Sequence, residues 1–255
     1  MAIQTTAITT LLGLLVMLGA YLYVGQRIHE SKTPVLRPVR LLHQFFLSMV
    51  VFFILMSLPD LWLTFDPSKF PLYMAWGYSI GHIFLYTAFI AVGRMLFSIV
   101  PKLASKEKLL TVVLGVVTVV ITVVNVITMV WGTQPAYNAE RSLIQYNAAP
   151  VVGATIGLMA AITVLPAAIL FLINAFQNKA RRVRSLLLGS GFAVMVVGGP
   201  LHDVARSWQM YLAADILAII CIVLVGAGVV YRFEESISLE RSQSAPVKTP
   251  SSSSV

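Results

Sequence analysis

The stretch from Leu109 to Trp131, LLTVVLGVVTVVITVVNVITMVW, contains no charged residue. A helix rises 1.5 Å per residue, so roughly 20 apolar residues cross about 30 Å of hydrocarbon, and this run is long enough. Six further apolar runs lie at about 5–24, 41–65, 72–100, 148–176, 185–201 and 210–231, and only the one at 185–201 is short for a full crossing. The whole chain of 255 residues is 58% hydrophobic and 11% charged, with a mean hydropathy of +0.86. A soluble domain is about 45–50% apolar and about 25% charged, so a water-soluble fold is excluded. The expected fold is all-α, a seven-transmembrane-helix bundle over residues 1–232. Residues 233–255 follow as a Ser- and Pro-rich tail that cannot bury apolar surface and is expected to be disordered.

The positive charges set a direction. Arg27, Lys32, Arg37 and Arg40 follow the first run; Lys102, Lys106 and Lys108 follow the third; Lys179, Arg181, Arg182 and Arg184 follow the fifth; and Arg232, Arg241 and Lys248 lie in the tail. Of the 18 lysines and arginines, only Lys69, Arg141 and Arg206 belong to the opposite side, and Arg94 lies within a span. Cytoplasmic loops carry the excess of Lys and Arg, which predicts the N-terminus outside and the C-terminus in the cytoplasm. The basic residues come after the first run and none precedes it, the reverse of a cleaved signal peptide, so this run is read as a true helix. The net charge of +8 is spread over short loops and not gathered on one soluble face. The expected partner is therefore the lipid bilayer, with no nucleic acid. All four tryptophans (Trp62, Trp76, Trp131 and Trp208) fall near the outer interface, as an aromatic belt does. The connection 132–147 has the length to cover an outward-facing vestibule and equally the length of a plain connection. With neither a targeting signal nor an N-glycosylation sequon, a multi-pass protein of a prokaryotic cytoplasmic membrane is expected.

Ionisable groups at membrane depth are expensive and mark function. By helical rise, His82 sits roughly 16 Å below Pro71, near the bilayer midplane, and Asp215 roughly 10 Å below Trp208. Asp60 closes the second run, and His202 and Asp203 close the sixth, so all five share the outer half. The expected arrangement pairs His82 with Asp215, with Asp60, His202 and Asp203 at the mouth. Such a pair suits proton coupling or cation binding, and otherwise fixes helix packing. His82, His202, Asp203 and Asp215 are the only plausible metal donors, and His82 with His202 is the one outer pair available to ligate haem. Arg94, near the inner end of the third run, has a stem long enough to snorkel to the headgroups. The sequence GGP at 198–200 is expected to break the sixth helix before His202, as interrupted helices do at transporter sites. Pro166 is expected to kink the fifth helix, and Gly153 with Gly157 to form a packing face on it.

Several chemistries are excluded. The topology resembles that of microbial rhodopsins, whose retinal lysine lies four residues after an aspartate in the last helix; here that position is Ile219, and no lysine lies within any span. Covalent retinal is therefore ruled out. No HxxxH pattern exists, so the zinc hydrolases that resemble progestin and adiponectin receptors do not fit either. GxSxG, HExxH and P-loop patterns are absent, and nothing supports an enzyme. The single cysteine, Cys221, permits no internal disulfide. The leading expectation is a sensing or binding module with an outward-facing polar pocket, acting through a cytoplasmic protein partner. A small proton- or ion-coupled transporter using His82 and Asp215 is the alternative, and a metal- or haem-carrying membrane protein the further one.

Overall fold

The computed structural model describes residues 5–30, 35–138, 140, 143–205 and 207–231, with side chains for these except at 5–8, 64, 101, 143 and 203. Among the described residues, seven helices are long and apolar enough to cross a membrane. They are α1 (Thr5–Glu30), α2 (Arg37–Ser57) with its short continuation α3 (Asp60–Phe65), α4 (Phe70–Ile99), α5 (Glu107–Asn125), α6 (Pro150–Gln177), α7 (Arg182–Val204) and α8 (Trp208–Val230). The chain is thus an all-α bundle of membrane-spanning dimensions. The tail at 233–255 lies outside the described residues.

Proline opens three of these helices, where a missing N–H costs nothing: Pro38 in α2, Pro71 in α4 and Pro150 in α6. Pro59 acts differently and divides the second apolar run into α2 and α3. Its nitrogen cannot donate to the Leu55 carbonyl, so α2 ends at Ser57. That carbonyl oxygen faces Gly77 of α4, where an added Cβ would sit 2.6 Å from it. Only glycine allows so close an approach.

The sequential neighbours α1, α2, α4, α6, α7 and α8 pack into a closed ring, since α1 also contacts α8. Helix α5 lies outside this ring against α4, with a lighter contact to α6. It turns an exposed row of valines outward, among them Val112, Val116, Val119 and Val123. Water would not tolerate such a face, but lipid does. Helices α7 and α8 approach closely where a glycine on one faces the backbone of the other: a Cβ on Gly191 would meet the Val225 nitrogen at 3.0 Å, and one on Gly228 the Leu188 nitrogen at 3.0 Å. Close backbone approach between small residues is how helices associate where lipid removes the hydrophobic drive.

The GGP segment does not break α7, which continues to Val204. Its three residues meet three different surroundings. Gly198 faces Leu217 of α8, Gly199 faces open space, and the Pro200 ring lies 3.5 Å from where a Cβ on Gly157 of α6 would be. Packing on both sides holds the helix despite the lost hydrogen bond. Pro166 likewise lies inside an unbroken α6.

The two ends of the bundle differ. One, the basic end, carries the loops with Arg37, Lys102, Lys106, Lys179 and Arg181. There Glu107, almost fully buried, takes the Arg94 Nε–H at 3.0 Å and a second hydrogen bond from Arg37. Arg94 is therefore paired in the structure, and the pair ties α4 to the start of α5. The other, the hairpin end, carries α3 and an antiparallel hairpin of β1 (Ala136–Asn138) and β2 (Leu143–Gln145). Helix α5 reaches it through a π-helical turn, Val126–Val130.

Candidate functional site

A cavity of about 130 Å³ opens among the helices toward the hairpin end. It is about as large as an engineered void that admits benzene, on the order of 150 Å³. Its wall is mostly apolar, built from α1, α2, α4, α7 and α8, with Met17, Met49, Met56 and Met195 as adaptable surfaces. The polar groups come from five separate places: Thr9 and Thr10 on α1, Tyr78 and His82 on α4, Tyr146 after β2, His202 on α7 and Asp215 on α8.

Asp215 is only 2% exposed. Its Oδ1 lies 3.2 Å from His202 Nε2, within ion-pair reach but not aligned as a hydrogen bond. Among the described residues neither carboxylate oxygen accepts a hydrogen bond, and His202 Nδ1 has no partner. A buried carboxylate with roughly four lone-pair sites and no donor is costly, so such a group is retained for what it binds or does.

His82 is buried on the same wall. Its Nδ1–H donates to the Tyr78 carbonyl at 2.7 Å, since a carbonyl only accepts, and this fixes the tautomer of the neutral ring. Ring contacts then run across the cavity. The Tyr78 and His82 centroids are 3.9 Å apart, Tyr78 and Tyr146 are 5.2 Å apart, and Tyr146 and His202 are 6.2 Å apart. The series joins α4, the hairpin and α7, and ends at Asp215.

The hairpin supplies Tyr146 through a local device. Ile144, Tyr146 and Ala148 alternate inward along an extended segment. Asn147 then takes a positive φ of 53° and donates from Nδ2 to the Gln134 carbonyl at 3.0 Å, turning the chain into α6. Asparagine tolerates that conformation better than most residues. Burial first, and then the carboxylates of Asp60 and Asp215, push the Tyr146 hydroxyl well above tyrosine's usual range, so it stays a proton donor.

The structure therefore brings His82, His202 and Asp215 to one cavity. The partner of Asp215 is His202, one helix over, and not His82 as the depth estimate suggested. Rise along each helix fixes depth but not azimuth, and the unbroken α7 carries His202 inward. Asp60 acts on Tyr146 electrostatically, yet it does not line the cavity; its Oδ1 is buried without a partner among the described residues. The side chain of Asp203 lies outside the described residues. Among the described residues no group of three His, Cys, Asp or Glu side chains is placed to hold a metal ion. Tyr78 and Tyr146 were missed from sequence. The alternation of LIQYNA at 143–148 was the readable signal for Tyr146; Tyr78, one turn before His82, was readable only as a neighbour. Compared with protein-family models, curated proteins and solved structures, the chain has no match.

Proposed function

We propose that this chain is a ligand-binding sensor module of a cell membrane, with the hairpin end facing outward and the basic end toward a cytoplasmic protein partner. The observation that carries the reading is the Asp215 carboxylate, buried without a hydrogen-bond donor on the wall of a cavity large enough for a small molecule. The excess of Lys and Arg on the basic end supports the orientation. Because the polar wall is divided among α1, α4, the hairpin segment, α7 and α8, a bound molecule bridges several elements at once. Occupancy is then felt at the hairpin, the least rigid of them, while close glycine contacts hold α7 against α8.

Native mass spectrometry of the chain purified in mild detergent tests this. Wild type should carry a small-molecule adduct, and Gly199→Leu, which places a side chain in the open space beside the cavity, should lose it. An identical spectrum for both proteins would overturn the binding reading. The same sample tests the metal- or haem-carrying reading. That reading gains only if near-stoichiometric metal or a haem absorption band is lost in His82→Ala.

A second reading, proton- or ion-coupled transport, is favoured by one observation: the His202–Asp215 contact deep in the bundle, a pair able to hold and release a proton. Its test is proton-linked uptake into vesicles. Loss in Asp215→Asn with folding intact supports it, and unchanged uptake removes it.

A further inference from the structure

We infer that the ligand of the cavity is a small organic ammonium, a protonated primary or secondary amine on a compact apolar body, with its nitrogen seated on Asp215. This rests on the cavity being a binding site. The first step concerns the apolar wall. A ligand that reaches a membrane protein from lipid gains little by moving from hydrocarbon into a space lined by Met49, Phe52 and Met195, because lipid tails are equally apolar. The wall therefore sets size, and selectivity has to come from the polar pole.

That pole is short of donors and of positive charge. Both oxygens of Asp215 lack a hydrogen bond among the described residues, and the one ion-pair contact given to it there is His202 Nε2, at 3.2 Å. An anion is repelled there. An alcohol offers one donor and no charge, whereas an ammonium offers up to three N–H donors and a full charge, and charge-assisted hydrogen bonds are roughly twice as strong as neutral ones. The rings of Tyr78 and Tyr146 line the same wall, and aromatic rings are favourable neighbours for a cation. A quaternary ammonium has the charge but no N–H, and leaves the carboxylate oxygens unsatisfied.

Four probes of nearly constant shape separate these terms: benzylamine, benzyl alcohol, benzoate and benzyltrimethylammonium, measured by equilibrium dialysis against the full chain in detergent and against detergent alone. Benzylamine should bind wild type at least tenfold more tightly than the other three. Asp215→Asn should remove that preference, and Gly199→Leu should abolish binding of every probe. If benzyl alcohol, benzoate or the quaternary ion binds as tightly as benzylamine, or if Asp215→Asn leaves benzylamine binding unchanged, the amine assignment is overturned while the cavity stands. If no probe binds in a way that Gly199→Leu alters, the cavity reading itself fails. Should Asp215→Asn not fold, the four probes on wild type still decide, because charge and donor number vary while shape does not.

Discussion

Replacing Asp215 by asparagine should make the empty protein more stable. The carboxylate is 2% exposed, neither oxygen accepts a hydrogen bond among the described residues, and the only ion-pair contact is to a His202 side chain that is itself 22% exposed. An unsatisfied buried polar group costs about 1–3 kcal/mol, and more when charged. Asparagine keeps the shape and the unmet hydrogen bonds but removes the charge, so the relief is the difference between charged and neutral cost, about 1–3 kcal/mol. For a chain of this length that corresponds to a rise in Tm of roughly 2–12 °C, at about 2–4 °C per kcal/mol. Thermal unfolding of wild type and Asp215→Asn in the same detergent, without added ligand, reads it directly. If Asp215 and His202 are instead a structural ion pair, removing one charge should destabilise by about 3–5 kcal/mol, as breaking a buried pair does. A drop of that size would refute the reasoning and return Asp215 to a packing role. A gain in stability joined to a loss of binding is the expected mark of a residue kept for function.

Three other perturbations address the frame around the site. Gly199→Ala should stabilise α7 by about 0.5–1 kcal/mol, because its Cβ enters open space and alanine is the better helix former, whereas Gly191→Ala should cost about 1–3 kcal/mol by pressing on the Val225 backbone; parallel melting curves compare them. At the basic end, Arg94→Met should cost about 1–2 kcal/mol, less than full loss of a buried partner, because Arg37 still bonds Glu107 and Arg94 is 34% exposed. Glu107→Ala should cost more, since it strands Arg94 and Arg37 together, and denaturant titration should rank the two. The raised pKa of Tyr146 gives stability that is complete below tyrosine's unfolded value near 10 and is lost as pH rises above it. Wild type should therefore lose more stability than Tyr146→Phe between neutral pH and pH 11, on the order of 1 kcal/mol; equal loss would mean that the hydroxyl ionises as freely in the fold as out of it.

Helix number and type were legible because the bilayer imposes one length and one composition on every crossing. What was not legible depended on neighbours. The run at 41–65 shows no hydropathy change at Pro59, whose missing N–H divides it into α2 and α3, and the seat of the freed Leu55 carbonyl, against Gly77, lies on another helix. The GGP segment looked like a helix stop because local propensity says so, but Gly157 and Leu217 on flanking helices hold it in place. For the site, the sequence named His82, His202 and Asp215, which line one cavity. It could not supply azimuth, and azimuth decides that Asp215 meets His202. Tyr146 sat in a connection whose chemistry was masked by its length, although its two-residue alternation already marked one face of an extended segment.

The polar wall combines parts of unequal rigidity. His202 and Asp215 lie on consecutive helices joined by a connection of a few residues, with Ser207 capping α8 through a hydrogen bond from the Met210 nitrogen at 3.4 Å. Glycine contacts lock α7 to α8 below them, so the distance between imidazole and carboxylate is set by the fold and not by a ligand. Tyr146 stands on a two-stranded hairpin, an element marginal in isolation and held here by a few inward residues. A molecule seated on Asp215 would thus touch one fixed wall and one yielding wall. On the proposed sensor reading, the yielding one is where a binding event would be converted into displacement, because only an element with a small energy gap between arrangements can be shifted by the modest differential affinity of a small ligand. Substitutions that stiffen the hairpin should then leave affinity largely intact while blunting whatever response the basic end transmits, whereas substitutions at Asp215 should do the reverse.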